Sequence, residues 1–332
     1  MNDAVLIIGH GSKDPAGEQE FRAFARTLER RVGCFVQPAF LELNDPAVAA
    51  GIERCVEAAA ERIVVLPLFL GAATHQKNDV PTTITWARHR FPGVEFAYGA
   101  PLGAHALVAE ALAVRAMQTL GRAASPDAAI LPDTAVLLVG RGSRDPDSNS
   151  ELYKVGRLLY EGRAFGWVEC CYIAISRPDL PDGLERCLRL GARRVVATPH
   201  MLFTGVLTKR VESLTHEFGL RHPDIDLAVA APLGADDNLL AVVQQRIDEA
   251  RWGEAAANCD SCKYRMPMTG FETEFGLPQV SDHNHGLRGV PVAVVAHGGT
   301  GTPRSHHVYG RDHEDLHADL PDAVTDVDGG AR

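Results

Sequence analysis

Apolar residues in this chain fall into short runs that stop at glycine or proline, separated by stretches where they recur every three or four positions. Residues 4–8, Ala-Val-Leu-Ile-Ile, form the first such run and predict a buried strand ending at Gly9. Phe21, Phe24, Leu28 and Val32 follow at helical spacing and predict a helix over 17–32. The alternation continues with strands over 34–41, 63–67 and 94–98. Helices fall over 46–60, opening at Asp45-Pro46, then over 79–90 and 104–119. Strands alternating with helices imply right-handed βαβ crossovers and a parallel sheet, hence an α/β fold.

After residues 121–133, which have the composition of a linker, the pattern begins again. Val136-Leu-Leu-Val-Gly-Arg-Gly-Ser-Arg-Asp-Pro146 repeats Val5-Leu-Ile-Ile-Gly-His-Gly-Ser-Lys-Asp-Pro15 at an offset of 131. Phe91-Pro-Gly-Val-Glu-Phe and Ala100-Pro-Leu-Gly-Ala recur at the same offset, as His222-Pro-Asp-Ile-Asp-Leu and Ala231-Pro-Leu-Gly-Ala. An offset held across several motifs is an internal duplication. It predicts two similar parallel-sheet lobes, 1–120 and 134–252, facing across a cleft, with 253–332 as a tail.

The two copies differ where chemistry is concerned. His10 aligns with Arg141, and Glu42 with Ala174 when Pro46 is set on Pro178. His75 aligns with Lys209 if Gly71 is set on Gly205, which needs a two-residue insertion. The glycines and prolines persist, whereas the groups able to bind a metal remain only in the first copy.

With 45% hydrophobic and 23% charged residues, the chain has the composition of a globular protein with a real core. A net charge of −10 argues against a nucleic-acid surface. No apolar run approaches a membrane span, and the N-terminus lacks a secretory pattern, so a cytoplasmic protein is expected. Seven irregularly spaced cysteines fit a reducing compartment better than a disulfide framework.

His10 lies between two glycines just after a strand, where an open α/β sheet presents its ligands. Two imidazoles and a carboxylate on separate strand-end loops suit a borderline divalent ion such as Co²⁺, Fe²⁺, Ni²⁺ or Zn²⁺. Three protein ligands leave coordination positions open, as a reactive site requires. Rival motifs are missing: no arginine precedes His10 as in phosphohistidine phosphatases, and there is no Walker glycine loop or Gly-x-Ser-x-Gly elbow. His89, His105, His200, His216 and His222 read as surface or packing residues.

His10-Gly-Ser-Lys-Asp-Pro, Phe40-Leu-Glu-Leu, and Pro67-Leu-Phe-Leu-Gly-Ala-Ala-Thr-His75 followed by Asp79-Val-Pro81 resemble the sirohydrochlorin chelatases. These are the class II, ATP-independent enzymes of cobalamin and siroheme synthesis. The resemblance covers residues 1 to about 272, in the family's long, duplicated form. It implies insertion of Co²⁺ or Fe²⁺ into a tetrapyrrole, with His10 and His75 at the metal and Glu42 beside them. Leu70, Gly71, Ala72, Ala73 and Thr74 would contact the macrocycle. A substrate rich in carboxylates needs a basic wall, for which Arg141, Arg144, Arg177, Lys209 and Arg210 are the candidates. A non-catalytic metal or tetrapyrrole carrier is the alternative.

In the tail, Cys259-Asp-Ser-Cys262 lies outside the βαβ pattern. In long members of the resembled family a similar pair belongs to an iron–sulfur cluster, which normally needs four ligands. Two such pairs from two subunits would complete one, predicting a homodimer; His283 and His285 are alternative ligands, and zinc a rival occupant. The seven histidines between 283 and 317 read as a largely disordered stretch, either a weak metal-collecting arm or without function, and 292–295 as an apolar run able to dock on the body.

Overall fold

The computed structural model describes residues 2–123, 130–277 and 287–290. The first lobe runs β1 (Asp3–Gly9), α1 (Pro15–Val32), β2 (Phe35–Phe40), α2 (Val48–Glu57), β3 (Arg62–Pro67), α3 (Val80–Arg90), β4 (Glu95–Tyr98) and α4 (Ala106–Thr119). The second repeats it as β5 (Leu131–Gly140), α5 (Pro146–Tyr160), β6 (Phe165–Tyr172), α6 (Leu180–Arg189), β7 (Arg194–Pro199), α7 (Val206–Arg221), β8 (Asp226–Val229) and α8 (Asp237–Arg251). Each lobe is one parallel four-stranded sheet, ordered β2-β1-β3-β4 and β6-β5-β7-β8. From β1 the chain winds first to one side and then to the other. That reversal opens a crevice at the carboxyl ends of β1 and β3.

Side-chain alternation along the strands divides the core in three. Val5 and Ile7 of β1, with Val136 and Leu138 of β5, face a single apolar layer built from α1, α4, α5 and α8. Leu6 and Ile8 face the outer helices α2 and α3, and Leu137 and Val139 face α6 and α7. The lobes are therefore joined through a common core, and the crevice lies at the strand ends.

The repeated Ser-(Lys/Arg)-Asp-Pro motif is a helix start. Asp14 accepts from the Ala16 N–H at the head of α1, and Asp145 from the Asp147 N–H at the head of α5. In each, proline occupies the first turn, where no N–H is missed.

Several boundaries depart from the pattern. The first helix opens at Pro15, two residues early, because Asp14 caps it. The second starts at Val48, since the Pro46 carbonyl accepts from Phe40 N–H and keeps the chain extended to Ala47. β5 begins at Leu131, inside the stretch expected as linker, paired to Phe165 ahead of a register shift. The helix expected from 79 opens at His75, in a five-residue π turn, His75–Asp79, that leads into α3. Among the described residues no helix is long and apolar enough to cross a membrane.

Candidate metal centre

Three strand ends meet in the first lobe's crevice. His10 follows β1, Glu42 follows β2, and His75 stands beyond the loop after β3. Glu42 N–H donates to the His10 carbonyl at 3.0 Å, which continues the β1–β2 ladder past the sheet. The backbone packs so closely here that a Cβ on Gly11, whose φ is +105°, would meet the Glu42 carbonyl oxygen at 2.1 Å. That is why glycine follows His10.

One ligand atom from each of His10, Glu42 and His75 lies within 4.8 Å of the others, the single such grouping of acids, cysteines and histidines among the described residues. The two imidazoles meet edge to face, ring centroids 5.0 Å apart. His75 Nε2 stands 3.9 Å from Glu42 Oε1, a span that two ligands bound at about 2.1 Å to one ion can bridge. Two imidazole nitrogens and a carboxylate are a borderline donor set for late divalent ions, with positions left for a second ligand.

His75 lies on the first residue of the π turn and not on a loop as the sequence suggested. Val80 N–H donates to the His75 carbonyl, the wide bond that defines the turn. Within it, Asp79 is completely buried and its Oδ2 is 2.5 Å from His75 Nδ1. This carboxylate fixes the tautomer and leaves Nε2 to the metal side. Asp79 was visible only as part of a motif, although i,i+4 spacing already places it on the face of His75. Asp79→Asn should weaken metal binding and slow turnover about 10- to 100-fold. Isothermal titration with Co²⁺ measures the first effect directly, and wild-type affinity would remove Asp79 from the site.

The loop 70–74 is half-exposed. Leu70 packs on the joint core. Gly71 runs so close to α5 that a Cβ would meet Ser148 Oγ at 2.9 Å. The loop thus lies between the lobes, beside the crevice.

The second lobe repeats the frame. Ala174 N–H donates to the Arg141 carbonyl as Glu42 does to His10, which confirms both correspondences. The third needs correcting. Lys77 Nζ sits 2.8 Å from Asp145 Oδ2 and Lys209 Nζ 2.6 Å from Asp14 Oδ2, so each lobe's lysine grips the other lobe's capping aspartate. Lys209 is therefore the counterpart of Lys77, and His75 matches Leu207.

Arg141 is half-buried beside Glu42; burial lowers its pKa while Glu42 opposes that shift. Arg177 pairs with Asp179 and Asp182, and Lys209 with Asp14, each cation lying largely at the surface. Arg144 and Arg210 are exposed.

His200 occupies the place of Leu68, each N–H donating to the preceding central strand. It is a packing residue, and burial pushes its pKa down to about 4. An unfolded histidine titrates near 6.5, so below about pH 6.5 the unfolded chain binds a proton that the folded one refuses. Stability therefore falls as pH drops from about 6.5 to about 4, by roughly 3 kcal/mol in all. His200→Leu should remove that loss. Urea unfolding at pH 7 and 4.5 should show a gap smaller by about 2–3 kcal/mol in the variant, and an unchanged gap would refute it.

None of the seven cysteines is in a disulfide. Cys170 and Cys171 face opposite layers, as adjacent strand residues must. Burial holds Cys55, Cys170 and Cys187 at about 12, so they stay protonated. Cys262 is 4% exposed, packed near Lys77, while Cys259 is half-exposed. No third ligand joins this pair among the described residues. Both cysteines line one pocket with Lys77, Asp147 and Arg265, and a cluster held there would take its further ligands from outside the described residues. His283, His285, the histidine-rich stretch and the run 292–295 lie outside the described residues.

The CbiX family model matches residues 4–119 and again 135–250. A Priestia megaterium protein named sirohydrochlorin cobaltochelatase is 38% identical over 265 residues, covering 79% of this chain and 85% of that one. A sirohydrochlorin ferrochelatase from the same organism is 33% identical over 246 residues, covering 74% of this chain and 89% of that one. Among solved structures, SirB from Bacillus subtilis with Fe³⁺ aligns with a TM-score of 0.65 at 29% identity, over 75% of this chain and 96% of that one. Two matched units, two like sheets and one complete donor set lead to a single conclusion: the chain belongs to the CbiX family and carries the family's unit twice.

Proposed function

We propose that this chain is a sirohydrochlorin chelatase that inserts Co²⁺ or Fe²⁺ without ATP. The observation that carries this reading is the convergence of His10, Glu42 and His75 within 4.8 Å at the crevice. The ion is a substrate here, held by three side chains with its remaining positions turned to the macrocycle.

Insertion breaks two pyrrole N–H bonds and forms metal–nitrogen bonds in their place. As the ion passes to the macrocycle, the two imidazoles lose it and regain free lone pairs. Each can then accept one of the two departing protons, since neutral histidine is basic enough near neutral pH. Glu42 lowers the charge of the bound cation. Asp79, behind His75, stabilises the imidazolium that results. Loop residues Leu70, Gly71, Ala72, Ala73 and Thr74 form one wall for the tetrapyrrole. Arg141, in the place of a second His10, meets its carboxylates together with the exposed Arg144 and Arg210.

The lobes 1–120 and 134–252, the linker 121–133 and the tail 253–332 are the working divisions of this reading, and its setting is the cytoplasm, which suits seven cysteines outside disulfides. The test is incubation with sirohydrochlorin and Co²⁺ or Fe²⁺, in separate reactions without ATP, followed by visible spectroscopy. Many turnovers per chain are expected. Spectral change that stops at one equivalent would instead mark a carrier.

A further inference from the structure

Past residue 277 the described residues include one short segment, 287–290, which lies against the first lobe. Leu287 and Val290 are buried in the outer core with α2 and α3. Between them Arg288 reaches the turn that carries Glu42. Its guanidinium donates to the carbonyls of Phe40 at 3.3 Å and Leu41 at 3.2 Å, and to that of Asn44. It also stands 3.5 Å from Asp45 Oδ1. These carbonyls bracket Glu42 on both sides.

The turn needs such support. Leu43 is held at φ +62°, a left-handed conformation that a residue with a Cβ rarely adopts. Asn44 N–H folds back on the Glu42 carbonyl at 2.6 Å. A fork of fixed donors gathers carbonyls from three residues in a way that a point charge cannot.

We infer that Arg288 is a positioning residue of the metal centre, so that the C-terminal extension helps set the direction of the Glu42 carboxylate. This inference rests on the reading of Glu42 as a metal ligand. It concerns a contact outside both family-matched units, which end at residue 250.

The test is titration of the full chain with Co²⁺ alone, following its ligand-field spectrum, for wild type, Arg288→Ala, Arg288→Lys, Glu42→Ala and the Glu42→Ala, Arg288→Ala double variant. Arg288→Ala should weaken Co²⁺ binding about 10-fold and alter the spectrum, as loss of an outer-shell partner does. Arg288→Lys should recover part of the affinity. In the Glu42→Ala background, removing Arg288 should change nothing further, because the residue acts through Glu42. Wild-type affinity in Arg288→Ala, or an equal loss in both backgrounds, would overturn the inference while leaving Glu42 a ligand. Wild-type affinity in Glu42→Ala would overturn the ligand reading itself, and the inference with it.

Discussion

Replacing His10 or His75 with alanine should lower the rate of metal insertion by about 10²–10⁴-fold, the range lost with a positioned base, while the fold stays intact. Each imidazole is asked to do two things in sequence, to hold the ion and then to take a proton. No neighbour can stand in for either, since the three donors form the single such grouping among the described residues. Both side chains sit at the crevice, outside the three core clusters, so thermal unfolding should move little. Glu42→Ala should cost less in rate, because the carboxylate lowers charge without accepting a proton. Initial rates from the visible spectrum, with sirohydrochlorin and Co²⁺ in excess, decide the matter. Near-normal rates in both histidine variants would dismiss the centre.

The second large effect concerns stability and contrasts two lysines in mirrored places. Lys77 is 9% exposed, between Asp145 at 2.8 Å and Asp147 at 3.2 Å, both almost fully buried. Burial works to lower its pKa, yet the two carboxylates prevail and hold it above the usual lysine value. Asp147 also accepts from Ser261 and Asn258, which ties the segment carrying Cys259 and Cys262 to both lobes. Lys77→Met would leave two buried carboxylates facing each other and should cost about 3–5 kcal/mol. Lys209 makes the same kind of pair with Asp14 but is 61% exposed. Water screens that pair, so Lys209→Met should cost less than about 1 kcal/mol. Urea unfolding of the two variants measures the difference, and equal losses would mean that burial does not govern these pairs.

Most of the fold could be read from periodicity. The strands at 4–8 and 63–67 are buried on both faces and so appear as unbroken apolar runs, and the duplicated motifs proved to be helix caps and ladder ends. His10 and Glu42 were legible for the same reason, since each sits one or two residues past a strand. His75 was legible as a residue but not in its setting. Setting Gly71 on Gly205 introduced a two-residue insertion that the match of Lys77 to Lys209 does not contain, and so paired His75 with the wrong partner. The cations of the expected wall were chosen by charge alone, and charge does not reveal that Arg177 and Lys209 already have acids beside them. Arg288 lay hidden because its carbonyl acceptors have no side-chain signature.

From Lys77 to Arg90 the first lobe spends one residue more than the second does from Lys209 to Arg221. That residue is absorbed by the π turn at His75–Asp79, whereas α7 starts directly at Val206. Along a helix one residue is about 100° of rotation, so the added position decides which way the side chains before it point. Metal competence is thus written partly in chain length. Placing histidine at 141, glutamate at 174 and histidine at 207 would restore the three donors by identity alone. The second copy would still lack the insertion that aims the third of them, and no set of substitutions, however well chosen, supplies a missing residue.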